Sequence, residues 1–143
     1  MSDPLYAKEL LRLAANAAGA GRLDPFDAQG VEHNPTCGDK VSVTLRLDGN
    51  GRVTAMAHET NACVLAQASS SILGAQLSGA DRQKVQELRV AVETMLHDGP
   101  PPPAPFADYA VLTGAALYRN RHVCVLLPID AVLRALEAAG RTG

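Results

Sequence analysis

The sequence has few aromatic residues and no excess of charge of one sign. Aromatic residues make up 3% of the 143 residues and tryptophan is absent, which leaves little to stack nucleotide bases or to surround a cationic ligand. The 13 Lys and Arg residues nearly balance 15 Asp and Glu residues, for a formal charge of -2. Because no basic footprint for nucleic acid or an anionic membrane is present, we expect neither partner.

Long apolar runs are also missing. No stretch approaches the roughly 20 apolar residues of a membrane span, and residues 1–13 contain four charged side chains, which excludes the apolar centre of a signal peptide there. We therefore expect a cytoplasmic protein. A chain of this length with 47% hydrophobic residues can bury one core, so we expect a single domain over residues 1–143.

Cysteine is scarce and odd in number: Cys37, Cys63 and Cys124. An odd count in a cytoplasmic chain argues against a disulfide framework and favours metal or reactive-thiol roles. Cys37 lies in the stretch Asn34–Asp39, where a single glycine separates its thiol from the carboxylate of Asp39. Since a free cysteine is also a common core residue, the functional interpretation depends on these four side chains meeting.

Hydrophobic spacing predicts a hairpin among helices. Apolar residues alternate over 41–47 and again over 52–60, with Asp48-Gly49-Asn50-Gly51 between them, which is typical of two antiparallel strands joined by a turn. Such a hairpin returns Cys37 and Cys63 to the same end of the sheet.

The other predicted elements are a helix over 5–18, a loop over 22–36, helices over 61–77 and 81–96, an extended proline-rich segment over 97–105, a short helix over 106–117 and a C-terminal helix.

Two of the thiols are predicted to lie at helix N-termini. Asn61 is a suitable N-cap, which places Cys63 in a first turn. Because proline is tolerated in a first turn but not in a helix interior, Pro128 predicts that the C-terminal helix begins near 125–128, with Cys124 at or beside its N-terminus. The free N–H groups and the dipole at a helix N-terminus favour a thiolate over a thiol.

Three thiols and one carboxylate are thus predicted to converge. Gly38 lacks a side chain and leaves room for a ligand beside Cys37, and Asp39 points to the same side as Cys37 if this short run is extended. Thiolates suit Zn²⁺ or an iron–sulfur cluster, whereas Ca²⁺ and Mg²⁺ require more oxygen. The close-spaced cysteine pairs of many structural zinc sites are absent.

Three motifs read together carry a family resemblance: Asn34-Pro35-Thr36-Cys37-Gly38-Asp39, Asn61-Ala62-Cys63 with Gln67-Ala68-Ser69-Ser70-Ser71, and Arg121-His122-Val123-Cys124 leading into Leu133-Arg134-Ala135-Leu136. They resemble the U-type iron–sulfur cluster assembly scaffolds, which include the Isc and Suf scaffolds and the N-terminal domain of the Nif scaffold. The Suf type is the more similar, because residues 106–118 resemble an insertion that the Isc type lacks and Val123 replaces an Isc-type histidine.

The resemblance implies an α+β fold of the SufE/NifU-like kind, with a small antiparallel sheet packed against helices. It implies that Cys37, Asp39, Cys63 and Cys124 bind zinc or a transient [2Fe–2S] cluster. It further implies that a cysteine desulfurase supplies sulfur as a persulfide, with Cys37 or Cys124 as acceptor, and that downstream acceptor proteins receive the cluster.

Three functions remain open from the sequence: a cluster scaffold, a zinc-dependent sulfurtransferase that activates the desulfurase, and a zinc-stabilised interaction module without chemistry. The first describes a carrier rather than a conventional enzyme. Arg121 is a candidate to stabilise a persulfide or to dock the desulfurase, and His33 and His122 are outlying candidate ligands. The serines over 69–71 are predicted to pack a helix, since no His–Asp pair accompanies them.

Overall fold

The structure is a computed structural model that describes residues 8–34 and 38–142. Three strands form one antiparallel sheet in the order β1-β2-β3, and helices pack against it, so the predicted α+β class is confirmed. The elements are α1 (Lys8–Asn16), β1 (Ala28–Asn34), β2 (Asp39–Leu47), β3 (Val53–Asn61), α2 (Val64–Gln76), α3 (Arg82–Leu96), two 3-10 helices (Ala107–Leu117 and Arg119–Arg121) and α4 (His122–Thr142).

The predicted hairpin is confirmed in β2 and β3. The two strands pair antiparallel, and the alternating inner face of β2 is fully buried at Val41, Val43 and Leu45. In the turn, Asp48 Oδ1 accepts hydrogen bonds from the N–H groups of Asn50 and Arg52 at 2.8 and 3.0 Å. Local alternation and turn chemistry therefore sufficed to specify this element.

The prediction of a continuous loop over 22–36 is wrong, because β1 lies within it. β1 pairs with β2 from Ala28 opposite Leu45 to Asn34 opposite Asp39. Its sequence has little alternation, and α4 packs directly on Gly30, where an added Cβ would lie 2.6 Å from the backbone nitrogen of Ala135. The strand therefore forms through packing against α4 and pairing with β2 rather than through local propensity.

Two predicted helix starts are also corrected. α4 begins at His122, so Pro128 is an interior residue rather than a first-turn residue. Packing of α4 against β1, β2, α2 and α3 outweighs the roughly 3 kcal/mol that an interior proline costs. At α2 the N-cap is Cys63, with an extended ψ of 171°, and Asn61 is instead the last residue of β3. Both thiols still lie at helix N-termini.

The serines over 69–71 pack α2 against its neighbours, as predicted. All three are at most 1% exposed. Each hydroxyl contacts a different partner: Ser69 donates to the Val125 carbonyl at 2.8 Å, Ser70 Oγ lies 2.8 Å from Thr60 Oγ1, and Ser71 accepts from the Ala18 N–H at 3.1 Å. Buried hydroxyls that are all paired fix the orientation of α2.

The helix predicted over 5–18 is α1 over Lys8–Asn16, and residues 5–7 lie outside the described part of the chain. The segment predicted to be extended over 97–105 instead contains turns at 97–98 and 104–105. α3 follows its predicted range, and Asp81 caps it by accepting a hydrogen bond from the Lys84 N–H at 2.8 Å. The short helix predicted over 106–117 is a 3-10 helix over Ala107–Leu117. Within the residues that the structure describes, the helices do not reach the length and apolar character that a membrane span requires.

His58 in β3 makes the stability of the fold depend on pH. It is 4% exposed, with Nε2 2.9 Å from the Ala18 carbonyl oxygen and Nδ1 2.9 Å from Thr60 Oγ1. Burial lowers the pKa of His58 below its usual 6.5, against the opposing effect of the bond to Ala18. The unfolded chain therefore binds a proton that the folded chain resists, so stability decreases as the pH falls below about 6.5.

Substitution of His58 isolates this contribution. We expect the free energy of unfolding of His58→Gln to fall less between about pH 7 and about pH 5 than that of the wild type, as measured by urea unfolding at each pH. His33→Gln serves as the control, because His33 is exposed on β1. Identical pH slopes for His58→Gln and the wild type would contradict the assignment.

Candidate metal centre

Three of the four predicted ligands meet at one end of the sheet. Asp39 is the first residue of β2, Cys63 precedes α2, and Cys124 lies in the first turn of α4. One donor atom from each lies within 4.8 Å of the other two, and the Cys124 thiol donates to Asp39 Oδ2 at 3.7 Å. Cys37, the fourth predicted ligand, lies outside the described residues.

Ordinary strand pairing brings the first two together. Lys40 in β2 stands opposite Asn61 in β3, so the start of one strand and the end of the other share an edge, and Cys63 follows two residues later. α4 packs on β1 and β2 and brings its first turn to the same edge. The predicted convergence therefore occurs for Asp39, Cys63 and Cys124.

Cys63 is poised to ionise. Hydrogen bonding between the Cys63 and Cys124 side chains is the largest cause that lowers the pKa of Cys63 to about 6, and the backbone N–H groups of Ala66 and Leu65 act in the same direction. Burial and the charge of Asp39 oppose them. The predicted effect of a helix N-terminus on this thiol thus has a structural basis.

Gly38 takes a backbone conformation that the sequence did not predict. Its φ is +76°, and its N–H donates to the Asn34 carbonyl at 2.9 Å, while an added Cβ would meet nothing within 4 Å. The left-handed backbone favours glycine at this position, and room for a ligand beside Cys37 stays a prediction. Because the backbone at Gly38 is not extended, the condition under which Cys37 and Asp39 were predicted to share a side is not met at that residue.

The outlying candidates do not join the cluster of described donors. His122 Nε2 lies 3.3 Å from the Ala116 carbonyl oxygen, and its ring stands edge-on to that of His97 with centroids 5.3 Å apart. His33 is exposed on β1. Arg121 ends the short 3-10 helix that leads into α4 and is partly exposed. It is close to Cys124 in the sequence.

The donor set fits a thiophilic metal. A tetrahedral ion with bonds of about 2.0–2.3 Å holds its ligand atoms about 3.3–3.8 Å apart, and the Cys124 to Asp39 distance of 3.7 Å falls in that range. Two sulfurs and one carboxylate oxygen suit zinc or iron in a thiolate site better than calcium or magnesium. Cys124 is 3% exposed, whereas Cys63 and Asp39 are half-buried, so the cluster can be reached from solvent on one side.

Ser69 and Tyr109 form a polar contact that the sequence did not predict. Tyr109, fully buried in the 3-10 helix Ala107–Leu117, lies 2.7 Å from Ser69 Oγ. The two residues are 40 positions apart, and no local pattern links them. The sequence signal for it is that Ser69 lies in a predicted helix of small, weakly apolar residues, which favours close packing.

Comparison with known proteins relates the whole arrangement to one family. Residues 5–125 match the NifU-like N terminal domain family. The chain is 29% identical over 119 residues to the iron-sulfur cluster assembly scaffold protein IscU of Streptococcus pyogenes serotype M1, an alignment that covers 82% of this chain and 73% of that protein. It is 32% identical over 80 residues to the zinc-dependent sulfurtransferase SufU of Bacillus subtilis, with 55% of this chain and 52% of that protein covered.

A solved structure shares the fold over nearly the full length. The crystal structure of a nitrogen-fixing NifU-like protein (N-terminal) from Brucella abortus superposes with a TM-score of 0.92 at 35% sequence identity. The match covers 99% of this chain and 98% of the other. The sheet, the helices and their order therefore follow a known arrangement.

Proposed function

Because the chain belongs to the NifU-like N-terminal domain family, as the sequence motifs predicted, we propose that it acts in iron–sulfur cluster assembly. The observation that carries the proposal is the convergence of Asp39, Cys63 and Cys124, with donor atoms within 4.8 Å of one another. The protein works in this proposal as a single cytoplasmic domain over residues 1–143.

Cys37 completes the set as the fourth ligand. It is two residues before Asp39, so chain connectivity keeps its Cα within about 7 Å of the Asp39 Cα. Three thiolates and one carboxylate then supply the four ligands of a tetrahedral site. The carboxylate of Asp39 is the weakest of the four for a soft metal, which makes it the position where the site opens to admit or release its contents.

As a scaffold, the protein carries the cluster as cargo. A cysteine desulfurase supplies the sulfur, the four side chains hold the nascent [2Fe–2S] cluster, and downstream acceptor proteins receive it. The position of the donors at a partly open edge supports this role, because cargo has to enter and leave. A fully enclosed set would favour a permanent structural metal instead.

A zinc-dependent sulfurtransferase is the second candidate, and the similarity to a protein of that name favours it. Resident zinc would keep its sulfur ligands deprotonated. An acceptor thiolate, Cys37 or Cys124, attacks the terminal sulfur of the desulfurase persulfide. A new S–S bond forms on the acceptor while the desulfurase cysteine leaves as a thiolate. Arg121, close along the chain, supplies positive charge for the anionic persulfide.

Purification without oxygen separates these roles. We expect protein supplied with a cysteine desulfurase, cysteine and ferrous iron to develop the visible absorption of a cluster if it is a scaffold. Retained zinc together with faster desulfurase turnover identifies the sulfurtransferase. Asp39→Asn should weaken retention of the metal or cluster, whereas Asp108→Asn, a matched change at an exposed residue, should not.

The remaining outcomes count against the proposal. Zinc retained with no cluster and no effect on the desulfurase would identify a zinc-stabilised interaction module. Failure to retain zinc, iron or a cluster, with intact folding and no effect on the desulfurase, would overturn the proposed function altogether.

A further inference from the structure

A buried pair of hydroxyls joins the two helices that carry the described thiols. Ser69 in α2 donates to the Val125 carbonyl in the first turns of α4 at 2.8 Å, and its oxygen lies 2.7 Å from the Tyr109 hydroxyl. All three residues are 0% exposed. With its one hydrogen committed to Val125, Ser69 accepts from Tyr109, and burial raises the pKa of Tyr109 so that this donor stays protonated.

The backbone hydrogen bonds of α4 are interrupted next to the carbonyl that Ser69 binds. In a regular helix the N–H of residue 128 would donate to the carbonyl of Cys124, but residue 128 is proline and has no N–H. The first turn of α4 is therefore joined to the rest of the helix by an interrupted set of backbone bonds. The bond from Ser69 falls on the next carbonyl along the chain, that of Val125, and ties this turn to α2.

α2 connects the bond made by Ser69 to Cys63, the other described thiol. Cys63 is the N-cap of α2, and Ser69 lies six positions later on the same helix. The contact of Ser70 with Thr60, at 2.8 Å, fixes α2 to β3, the strand that ends two residues before Cys63. Besides the packing of α4, a rigid helix and one buried hydrogen bond to the first turns of α4 thus constrain the separation of Cys63 and Cys124.

We propose that Ser69, held by Tyr109, is a positioning residue that keeps Cys63 and Cys124 at ligating separation. The inference rests on the proposed metal centre, and Ser69 itself touches no metal ion in it. Water does not compete for this buried bond. Its loss removes the tie between α2 and the first turns of α4 and leaves the Val125 carbonyl with only the bond that the helix itself offers from the Ile129 N–H, so the turn is freer to move. Cys63 and Cys124 are then no longer held at the separation that a bound metal ion requires.

Cobalt binding tests the proposal. Co²⁺ reports thiolate ligation through its charge-transfer and d–d absorption, and competition with a chelator gives its affinity. We expect Ser69→Ala to weaken Co²⁺ binding by about 10- to 100-fold, the range found when supporting groups around metal ligands are removed. Ser71→Ala is the matched control, because it removes an equally buried hydroxyl from α2 whose bond goes to Ala18 on the other side.

Metal-free protein gives a second readout. A short bifunctional thiol reagent should link Cys63 to Cys124 more slowly in Ser69→Ala than in the wild type or Ser71→Ala, with the linked peptides identified by mass spectrometry. Tyr109→Phe keeps the ring and removes only the donor to Ser69, so it should shift both measurements in the same direction by a smaller factor. It carries the test if Ser69→Ala does not fold.

Failure of the positioning role and failure of the metal centre give different results. Equal cobalt affinities and equal linking rates for Ser69→Ala and Ser71→Ala would overturn the positioning role and leave the proposed function standing. A wild-type protein that binds no cobalt through its thiolates, while Cys63 and Cys124 still link rapidly, would overturn the metal centre and this inference with it.

Discussion

Cys124→Ser is expected to abolish metal retention while leaving the fold intact. Serine matches cysteine closely in shape, and Cys124 is 3% exposed among residues of the core, so packing changes little. The hydroxyl is a far poorer ligand for a soft metal than a thiolate. We expect the metal content to fall from about one ion per chain to near zero, a larger effect than the about 10- to 100-fold of an outer supporting group.

The control for this variant is Val123→Ser. It introduces the same side chain one position earlier, at a residue that is 46% exposed and outside the donor cluster. Elemental analysis after gel filtration and circular dichroism of both variants provide the measurement. A Cys124→Ser protein that is folded and still holds a full complement of metal would show that Cys124 is a core residue rather than a ligand.

Gly30→Ala is expected to cause a large loss of stability. An added methyl group would overlap the Ala131 carbonyl oxygen and lie 2.6 Å from the Ala135 nitrogen. Both atoms belong to the backbone of α4 and cannot rotate away, so α4 and β1 must separate. Overpacking of this kind costs about 3 kcal/mol, at the upper end of its usual range, and outweighs the roughly 0.5–1 kcal/mol gained on replacing glycine in a strand.

Gly49→Ala is the matched control for this change. Gly49 lies in the turn between β2 and β3, and a Cβ there would meet nothing within 4 Å. Urea unfolding of metal-free protein should give a free energy of unfolding near that of the wild type for Gly49→Ala and far below it for Gly30→Ala. Comparable stabilities would mean that α4 is not seated on β1 as the structure shows.

The parts of the fold that the sequence could predict are those specified locally. Alternation and the turn at Asp48 predicted the hairpin, and apolar spacing with Asp81 as cap predicted α3. The hairpin in turn placed Asp39 and Cys63 at one edge without any knowledge of the helices. Sequence patterns predicted the secondary structure correctly where residues close together in the chain determine the backbone conformation.

The parts that the sequence could not predict depend on contacts between distant segments. β1 exists because α4 covers Gly30, and α4 begins at His122, before Pro128, because the sheet and two helices hold it. The role of Gly38 follows from a φ of +76° that no pattern of letters shows. The bond between Ser69 and Tyr109 joins segments 40 residues apart. Tertiary packing overrides local propensity at each of these positions.

X-ray absorption at the zinc edge of zinc-loaded protein tests the central claim most directly. The four proposed ligands predict a shell of three sulfur atoms at about 2.3 Å and one oxygen at about 2.0 Å. Cys37→Ser should lower the sulfur count by one, because Cys37 is the proposed ligand that completes the cluster of Asp39, Cys63 and Cys124. A shell of nitrogen and oxygen without sulfur, or a sulfur count unchanged by that substitution, would contradict the account.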